Sequence, residues 1–270
     1  MEVRGRTVRY LEGGTGWPLL LLHAFPLAAD MWRPQLESPP DGWRVLAPDV
    51  RGFGPTPSGR TGEQPGSSGP PLTISDFAHD IVDLLDALEI ERAALGGLSM
   101  GGYITFACFR AAPERFLSLI LANTKASADT PDGRTAREAM SALLRDRGRA
   151  AVADDMIPKL LGETSRRTRP ELASRLRTMI ESNSAGAIDQ AIHAMKDRPD
   201  STELLPRVGR PALVIAGEED TLIPVSASES MHRLLPRSQL VVLPGAGHVS
   251  NLETAEAFSE ALENFLRANL

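Results

Sequence analysis

The 270-residue sequence predicts an α/β fold: a mostly parallel central sheet flanked by helices, with a helical segment inserted between its strands. Three observations carry that expectation. Short continuous apolar runs of strand length recur along the chain, the pattern of strands buried on both faces of a parallel sheet. They alternate with longer stretches whose apolar residues recur at helical spacing. The alternation stops over residues 125–206, which offer helical periodicity and no convincing strand, and then resumes. A chain of this length accommodates one large domain with an insertion, or two small ones, and in either case a substantial core.

In chain order, residues 3–11 alternate well enough for an antiparallel pair, broken at Gly5-Arg6 and stopped by Gly13-Gly14-Thr15-Gly16. A buried strand over 19–22, all leucine, ends at His23-Ala24-Phe25-Pro26. A helical stretch over 31–36, a turn at Pro39-Pro40-Asp41-Gly42 and a second buried strand over 44–47 follow, the strand ending in Pro48-Asp49. Residues 51–71 are rich in Gly, Pro, Ser and Thr, and read as either a binding loop at the sheet edge or a mobile segment. Thr73-Ile74-Ser75-Asp76 has a capping-box pattern, and Ile74, Phe77, Ile81, Leu84, Leu85 and Leu88 keep one apolar helical face. That helix feeds a short apolar strand over 92–96, after which Gly97-Leu98-Ser99-Met100-Gly101 leads into a second helix through Tyr103, Phe106 and Ala112. A strand over 116–122 comes next. The insertion offers helices over 136–147, 150–161, 170–181 and 185–195. A strand over 212–216, a helix over 225–235, a strand over 239–243 and a helix over 254–266 complete the chain. The expected division is a core of residues 1–123 and 207–270 with a helical cap of residues 124–206.

Composition narrows the function classes. Net charge is -6, and the arginines are scattered without a basic stripe, so the footprint of a nucleic-acid binder is missing. The apolar run at 18–22 is far too short to span a bilayer, and the N-terminal residues do not read as a signal peptide, so no membrane partner and a cytoplasmic location are expected. Cys108, the only cysteine, excludes an internal disulfide or a cysteine metal cluster and reads as a small buried hydrophobe. Gly13-Gly14-Thr15-Gly16 lacks the G-x-G-x-x-G pattern, so neither a metal nor an organic cofactor is expected.

Residues 97–101 place one serine between small residues where a strand gives way to a helix. A nucleophile on so sharp a turn needs strained backbone angles, and flanking glycines remove the Cβ atoms that would collide with the neighbouring turn. A serine hydroxyl needs a base within hydrogen-bond reach, and histidine suits that role. Of the five histidines, His79 and His232 fall inside expected helices of the α/β part and His193 inside the insertion; all three read as surface or structural. His23 reads as a brace for its loop. His248, in Gly245-Ala246-Gly247-His248, lies just past a strand, where loops at the carboxyl edge of the sheet face the serine turn. An imidazole base needs a carboxylate to orient it, and Glu218, Glu219 and Asp220 compete for that place after the strand over 212–216. Asp49 also follows a strand but precedes the serine. Donors for an oxyanion are expected from the backbone N–H of Met100 and, in the loop after the first buried strand, of Phe25.

These motifs, in this order, resemble the α/β-hydrolase superfamily over essentially the whole chain: His23-Ala24-Phe25-Pro26-Leu27, Asp49-Val50-Arg51-Gly52-Phe53-Gly54, the Gly-Leu-Ser-Met-Gly-Gly turn at 97–102, Gly217 to Pro224, and Gly245 to His248. The resemblance implies the α/β-hydrolase fold with an inserted lid, and Ser99, Asp220 and His248 as nucleophile, acid and base in the family's chain order. It favours Asp220 over its two neighbours. Ala24 stands where the family usually has glycine, and Asn123 stands where some members keep the acid. The turn and the His-x-Phe-Pro-Leu loop are similar to those of 3-oxoadipate enol-lactonases, carboxylesterases and cofactor-free haloperoxidases. Serine rather than aspartate as nucleophile argues against dehalogenation and epoxide opening.

The implied activity is hydrolysis of a small carboxylic ester or lactone through an acyl-enzyme. A perhydrolase or haloperoxidase, with peroxide replacing water, and a ligand receptor on the same fold are the alternatives. Specificity is expected from the lid. Its methionines (Met140, Met156, Met179 and Met195) read as core packing within it. A basic lid would suit an anionic substrate such as a dicarboxylate lactone; Arg145, Arg147, Arg149, Arg166, Arg167 and Arg169 nonetheless read as solvated faces, because Asp154, Asp155 and Glu163 intervene.

Overall fold

A computed structural model describes residues 1–54 and 71–270; most of the Gly/Pro-rich segment read over 51–71 lies outside the described residues. A two-stranded antiparallel pair, β1 (Glu2–Val3) and β2 (Arg6–Thr7), precedes the main sheet. That sheet holds β3 (Tyr10–Gly14), β4 (Trp17–Leu22), β5 (Trp43–Pro48), β6 (Ala93–Leu98), β7 (Phe116–Ala122), β8 (Ala212–Gly217) and β9 (Ser238–Leu243) in the order β3-β5-β4-β6-β7-β8-β9. Only β3 runs antiparallel to its neighbour. Every residue of β6 and β8 is buried, as are Leu19 to Leu22 of β4, because helices cover both faces and leave no side of these strands in water.

The helices are α1 (Arg33–Glu37), α2 (Ile74–Ala87), α3 (Met100–Ala111), α4 (Pro131–Leu160), α5 (Glu163–Thr168), α6 (Pro170–Ser182), α7 (Ala185–Lys196), α8 (Val225–Leu234), α9 (Ser250–Glu253) and α10 (Ala255–Asn269). The capping box at the start of α2 forms: Thr73 Oγ1 accepts from the Asp76 N–H, and Asp76 Oδ2 accepts from the Thr73 N–H at 2.8 Å. Helices α4 to α7 fall between β7 and β8, with α4 packed on α6 and α7. The break read between 147 and 150 is Gly148, whose φ of 76° kinks α4. Cys108 is fully buried on α3, and burial pushes its thiol up, so it is a core hydrophobe rather than a nucleophile. Among the described residues no helix is long and apolar enough to cross a membrane.

Two local readings need correction. Gly13 and Gly14 do not stop the first strand; they lie inside β3, paired with Val45 and Arg44. Glycine is required there because α1 closes over the strand, and a Cβ on Gly13 would enter the Leu36 carbonyl. Helices α5 and α9 are absent from the sequence reading because four to six residues are too few to show a helical period.

This topology creates the site. From β4 the chain steps to β5 on one side and then crosses to β6 on the other, so a crevice opens at the carboxyl ends of β4 and β6. The loop of Phe25 leaves β4 there and Ser99 leaves β6. Strands β7, β8 and β9 are parallel to these and deliver Asn123, Asp220 and His248 to the same edge.

Candidate active site

Ser99 has φ 56° and ψ -111°, a region that side-chain-bearing residues rarely adopt, at the one-residue turn between β6 and α3. The turn fits only because its neighbours are glycine: a Cβ on Gly97 would enter the Gly101 backbone, and one on Gly101 would enter the Leu22 carbonyl of β4. Hydrogen bonds hold it from both sides. The Ser99 N–H donates to Ala122 O at 3.0 Å, and Thr124 Oγ1 donates to Ser99 O at 2.9 Å. Met100 opens α3, so its N–H is among the first four of the helix, which have no intrahelical partner.

His248 and Asp220 are buried together, with Nδ1 to Oδ2 at 2.8 Å. An ionised carboxylate only accepts, so Nδ1 carries the proton and Nε2 is left with its lone pair. The Asp220 carboxylate also accepts from Asn123 Nδ2 at 2.9 Å and from the Leu222 and Ile223 N–H groups at 2.8 and 3.0 Å. Burial alone would raise its pKa; His248 and this set of donors outweigh burial and hold the carboxyl below its usual value.

A depressed carboxyl pKa is a stability statement. Asp220 is unfavourable to protonate in the folded chain, so its contribution is present above the unfolded value near pH 4 and is lost as pH falls through the lower folded value. The stability advantage of the wild type over Asp220→Asn, read from urea midpoints, is therefore expected to hold from pH 6 to about pH 4 and to narrow below that. A difference that stays constant down to the acid unfolding of both proteins would contradict the depressed pKa.

The competing residues lie elsewhere. Glu219 accepts from the Thr164 N–H at 2.8 Å and from its hydroxyl, on inserted helix α5, while Glu218 accepts from the Gly245 N–H at 3.1 Å. Asp49 pairs with Arg9 at 2.6 Å. His79 is exposed, His193 sits 3.7 Å from Asp189, and His232 bonds Ser238 at 2.8 Å. His23 is fully buried and ties two loops: its Nε2 accepts from the Val50 N–H at 3.0 Å, so its Nδ1 donates to Ala24 O at 3.0 Å. Burial keeps this imidazole below its ordinary pKa, against the pull of Asp49, as a neutral brace requires. Ala24, the departure in that loop, is buried, and its N–H reaches Met31 Sδ at 3.2 Å.

Ser99, His248 and Phe25 line one cavity of about 650 Å³. Its walls come largely from the inserted helices, and here one sequence expectation holds only in part. Met156, Met179 and Met195 are buried in the core and Met140 packs against it, as read, but Met140, Met156 and Met195 also line the cavity. The arginines read as solvated faces stay outside it: Arg145, Arg147, Arg149, Arg166 and Arg167 are exposed, and neither they nor Arg169 line the cavity. Its cations are Lys125, Arg137 and Lys159. Asn123, noted in the sequence only by its position, bonds Asp220, and the sequence reading missed Asn183 of the inserted helical segment, whose Nδ2 donates to Pro26 O at 2.8 Å. The signal for Asn123 was its place at the carboxyl end of β7; Asn183 had none. The inserted helices also touch the loop after β9, where the His248 N–H donates to Leu160 O at 3.1 Å.

The chain is similar to known proteins along most of its length. A family model described as alpha/beta hydrolase fold matches residues 18–255. 3-Oxoadipate enol-lactonase 2 of Acinetobacter baylyi is 30% identical over 239 residues, which are 88% of this chain and 84% of that protein. A putative non-heme chloroperoxidase of a Synechocystis species is 28% identical over 275 residues, 96% of this chain and 95% of that one. The solved structure of a thermophilic esterase from Thermogutta terrifontis, with malate bound, superposes with a TM-score of 0.89 at 38% identity, over 97% of this chain and 93% of that chain.

Proposed function

The chain belongs to the α/β hydrolase fold family, and from that premise we propose that it is a serine hydrolase cleaving a small carboxylic ester or lactone through an acyl-enzyme. The single observation that carries this reading is the 2.8 Å bond between His248 Nδ1 and Asp220 on an imidazole that shares a cavity with Ser99. His248 Nε2 takes the hydroxyl proton as Ser99 Oγ attacks the carbonyl carbon, and Asp220 stabilises the imidazolium. The N–H groups of Met100 and Phe25 hold the oxyanion. Collapse of the tetrahedral intermediate expels the alkoxide, which takes the proton from His248. Water then attacks the acyl-enzyme by the same steps and frees the acid. Residues 124–206 act as the lid that sets specificity, and a cavity of about 650 Å³ suits a ligand of modest size.

Support for ester and lactone substrates comes from the enol-lactonase and esterase relatives. A panel of 4-nitrophenyl esters of graded acyl length, with simple lactones, tests it. Turnover on at least one series, with an optimum among short to medium acyl chains, is expected from a bounded cavity; no turnover on either series contradicts the reading. The chloroperoxidase relative makes peroxide the competing acyl acceptor. Halogenation driven by hydrogen peroxide and acetate at a rate above ester hydrolysis would move the assignment to perhydrolysis.

A further inference from the structure

We propose that one end of the cavity is a carboxylate-binding subsite made by Lys125 and Arg137, so that the natural ester or lactone carries a negative charge; this rests on the hydrolase reading above. The charges around Asp129 motivate it. The side chain of Asp129 is 3% exposed and serves three cations at once: Arg198 Nη1 at 2.9 Å, Arg137 Nε at 3.1 Å and Lys125 Nζ at 3.5 Å. Among the described residues, Lys125 and Arg137 have no other acidic partner within salt-bridge distance.

Arg198 belongs to the wall rather than to the opening. Its side chain is 3% exposed, its guanidinium lies 3.9 Å over the Tyr103 ring, and it donates to Met195 O and Ser127 O. It shares the charge of Asp129 with Arg137, and both hold that carboxyl below its usual value against burial. Asp200, the next acid in its field, spends its carboxylate on the Ala128 and Thr202 N–H groups. Lys125 and Arg137 stand on the cavity surface beside Asp129, each only about a quarter exposed, and with Arg198 they make three cations on that one carboxylate, Lys125 being the farthest from it at 3.5 Å. Burial, the largest cause, lowers the pKa of Lys125, and Arg198 and Arg137 push the same way, against the pull of Asp129. Half-buried cations short of counter-charge are costly until an anion arrives.

The remaining cation does not share this property, since Lys159 is matched by Asp155 at 2.7 Å. The other walls include Met140, Leu143, Met156, Met195, Leu222 and Ile223, so the complementary ligand has an apolar body and one anionic end. The distance to the reaction is short in the chain. Asn123 bonds the acid, Thr124 bonds the carbonyl of Ser99, and Lys125 follows.

The test uses two matched pairs of esters. One pair puts the charge on the acyl side (mono-4-nitrophenyl glutarate against 4-nitrophenyl pentanoate), the other on the leaving group (4-carboxyphenyl pentanoate against phenyl pentanoate). Lys125→Met is expected to lower the charged-to-neutral ratio of kcat/KM about tenfold for at least one pair, through KM, with Lys125→Arg restoring most of it. A ratio unchanged in both pairs means that the cluster only ties lid segments together, and overturns the subsite. A binding arm keeps the two claims separate: calorimetry of monomethyl against dimethyl glutarate on the Ser99→Ala protein needs no turnover. Preference for the monoester there, lost with Lys125→Met, supports the subsite even if no ester is ever hydrolysed; equal binding overturns it however active the enzyme is.

Discussion

Replacing Ser99 by alanine is expected to lower ester turnover by roughly 10⁴-fold or more without unfolding the protein. Both halves follow from the turn. Its backbone bonds, Ser99 N–H to Ala122 O and Thr124 Oγ1 to Ser99 O, do not involve the hydroxyl and survive the change. Alanine meets the same backbone strain at φ 56° as serine, so stability should stay within about 0.5 kcal/mol by urea unfolding. What disappears is the atom that forms the acyl bond. The residual rate comes from water attacking a carbonyl still polarised by the Met100 and Phe25 N–H groups.

Asp220→Asn is expected to cost about 10⁴-fold in kcat for a different reason, which lies in hydrogen-bond supply. The carboxylate accepts on both oxygens: His248 and Asn123 donate to Oδ2, the Leu222 and Ile223 N–H groups to Oδ1. An amide has only one accepting oxygen. If that oxygen faces the two backbone N–H groups, its NH₂ meets His248 Nδ1 and forces the proton onto Nε2, removing the lone pair that takes the serine proton. If it faces His248, its NH₂ is set against two buried N–H donors. Leaving buried donors unpaired adds a stability loss of about 1–3 kcal/mol. A variant that keeps kcat within tenfold of the wild type would remove Asp220 from the mechanism.

Most of the frame was legible in the sequence because the frame is local. Buried parallel strands announce themselves as unbroken apolar runs, and β7 begins and ends where Phe116 and Ala122 suggest. The serine turn was legible through the steric demand that puts glycine at 97 and 101. Chain order and strand ends could nominate Asp220 but could not discard Glu218 and Glu219, which differ from it only in where their side chains point; Glu219 is drawn to Thr164 of the lid. The inserted helical segment was the opaque part. Periodicity marks an apolar helix face without saying whether it meets a core or a cavity, so Met140, Met156 and Met195 were assigned to packing. Lys125 and Arg137 were invisible for the same reason, since their shared partner Asp129 acquires meaning only when Arg198, far along the chain, folds against it.

The central claim is that Ser99 is the nucleophile, and intact-protein mass spectrometry after exposure to diethyl 4-nitrophenyl phosphate, followed by peptide mapping, tests it most directly. A phosphoryl ester is attacked as a carboxylic ester would be, but the adduct it leaves turns over slowly enough to be mapped. The expected result is one diethylphosphoryl group per chain on the peptide containing Ser99, formed in step with the loss of esterase activity and absent from Ser99→Ala. Full esterase activity in quantitatively modified protein, or loss of activity with the adduct on a different residue, would contradict the assignment.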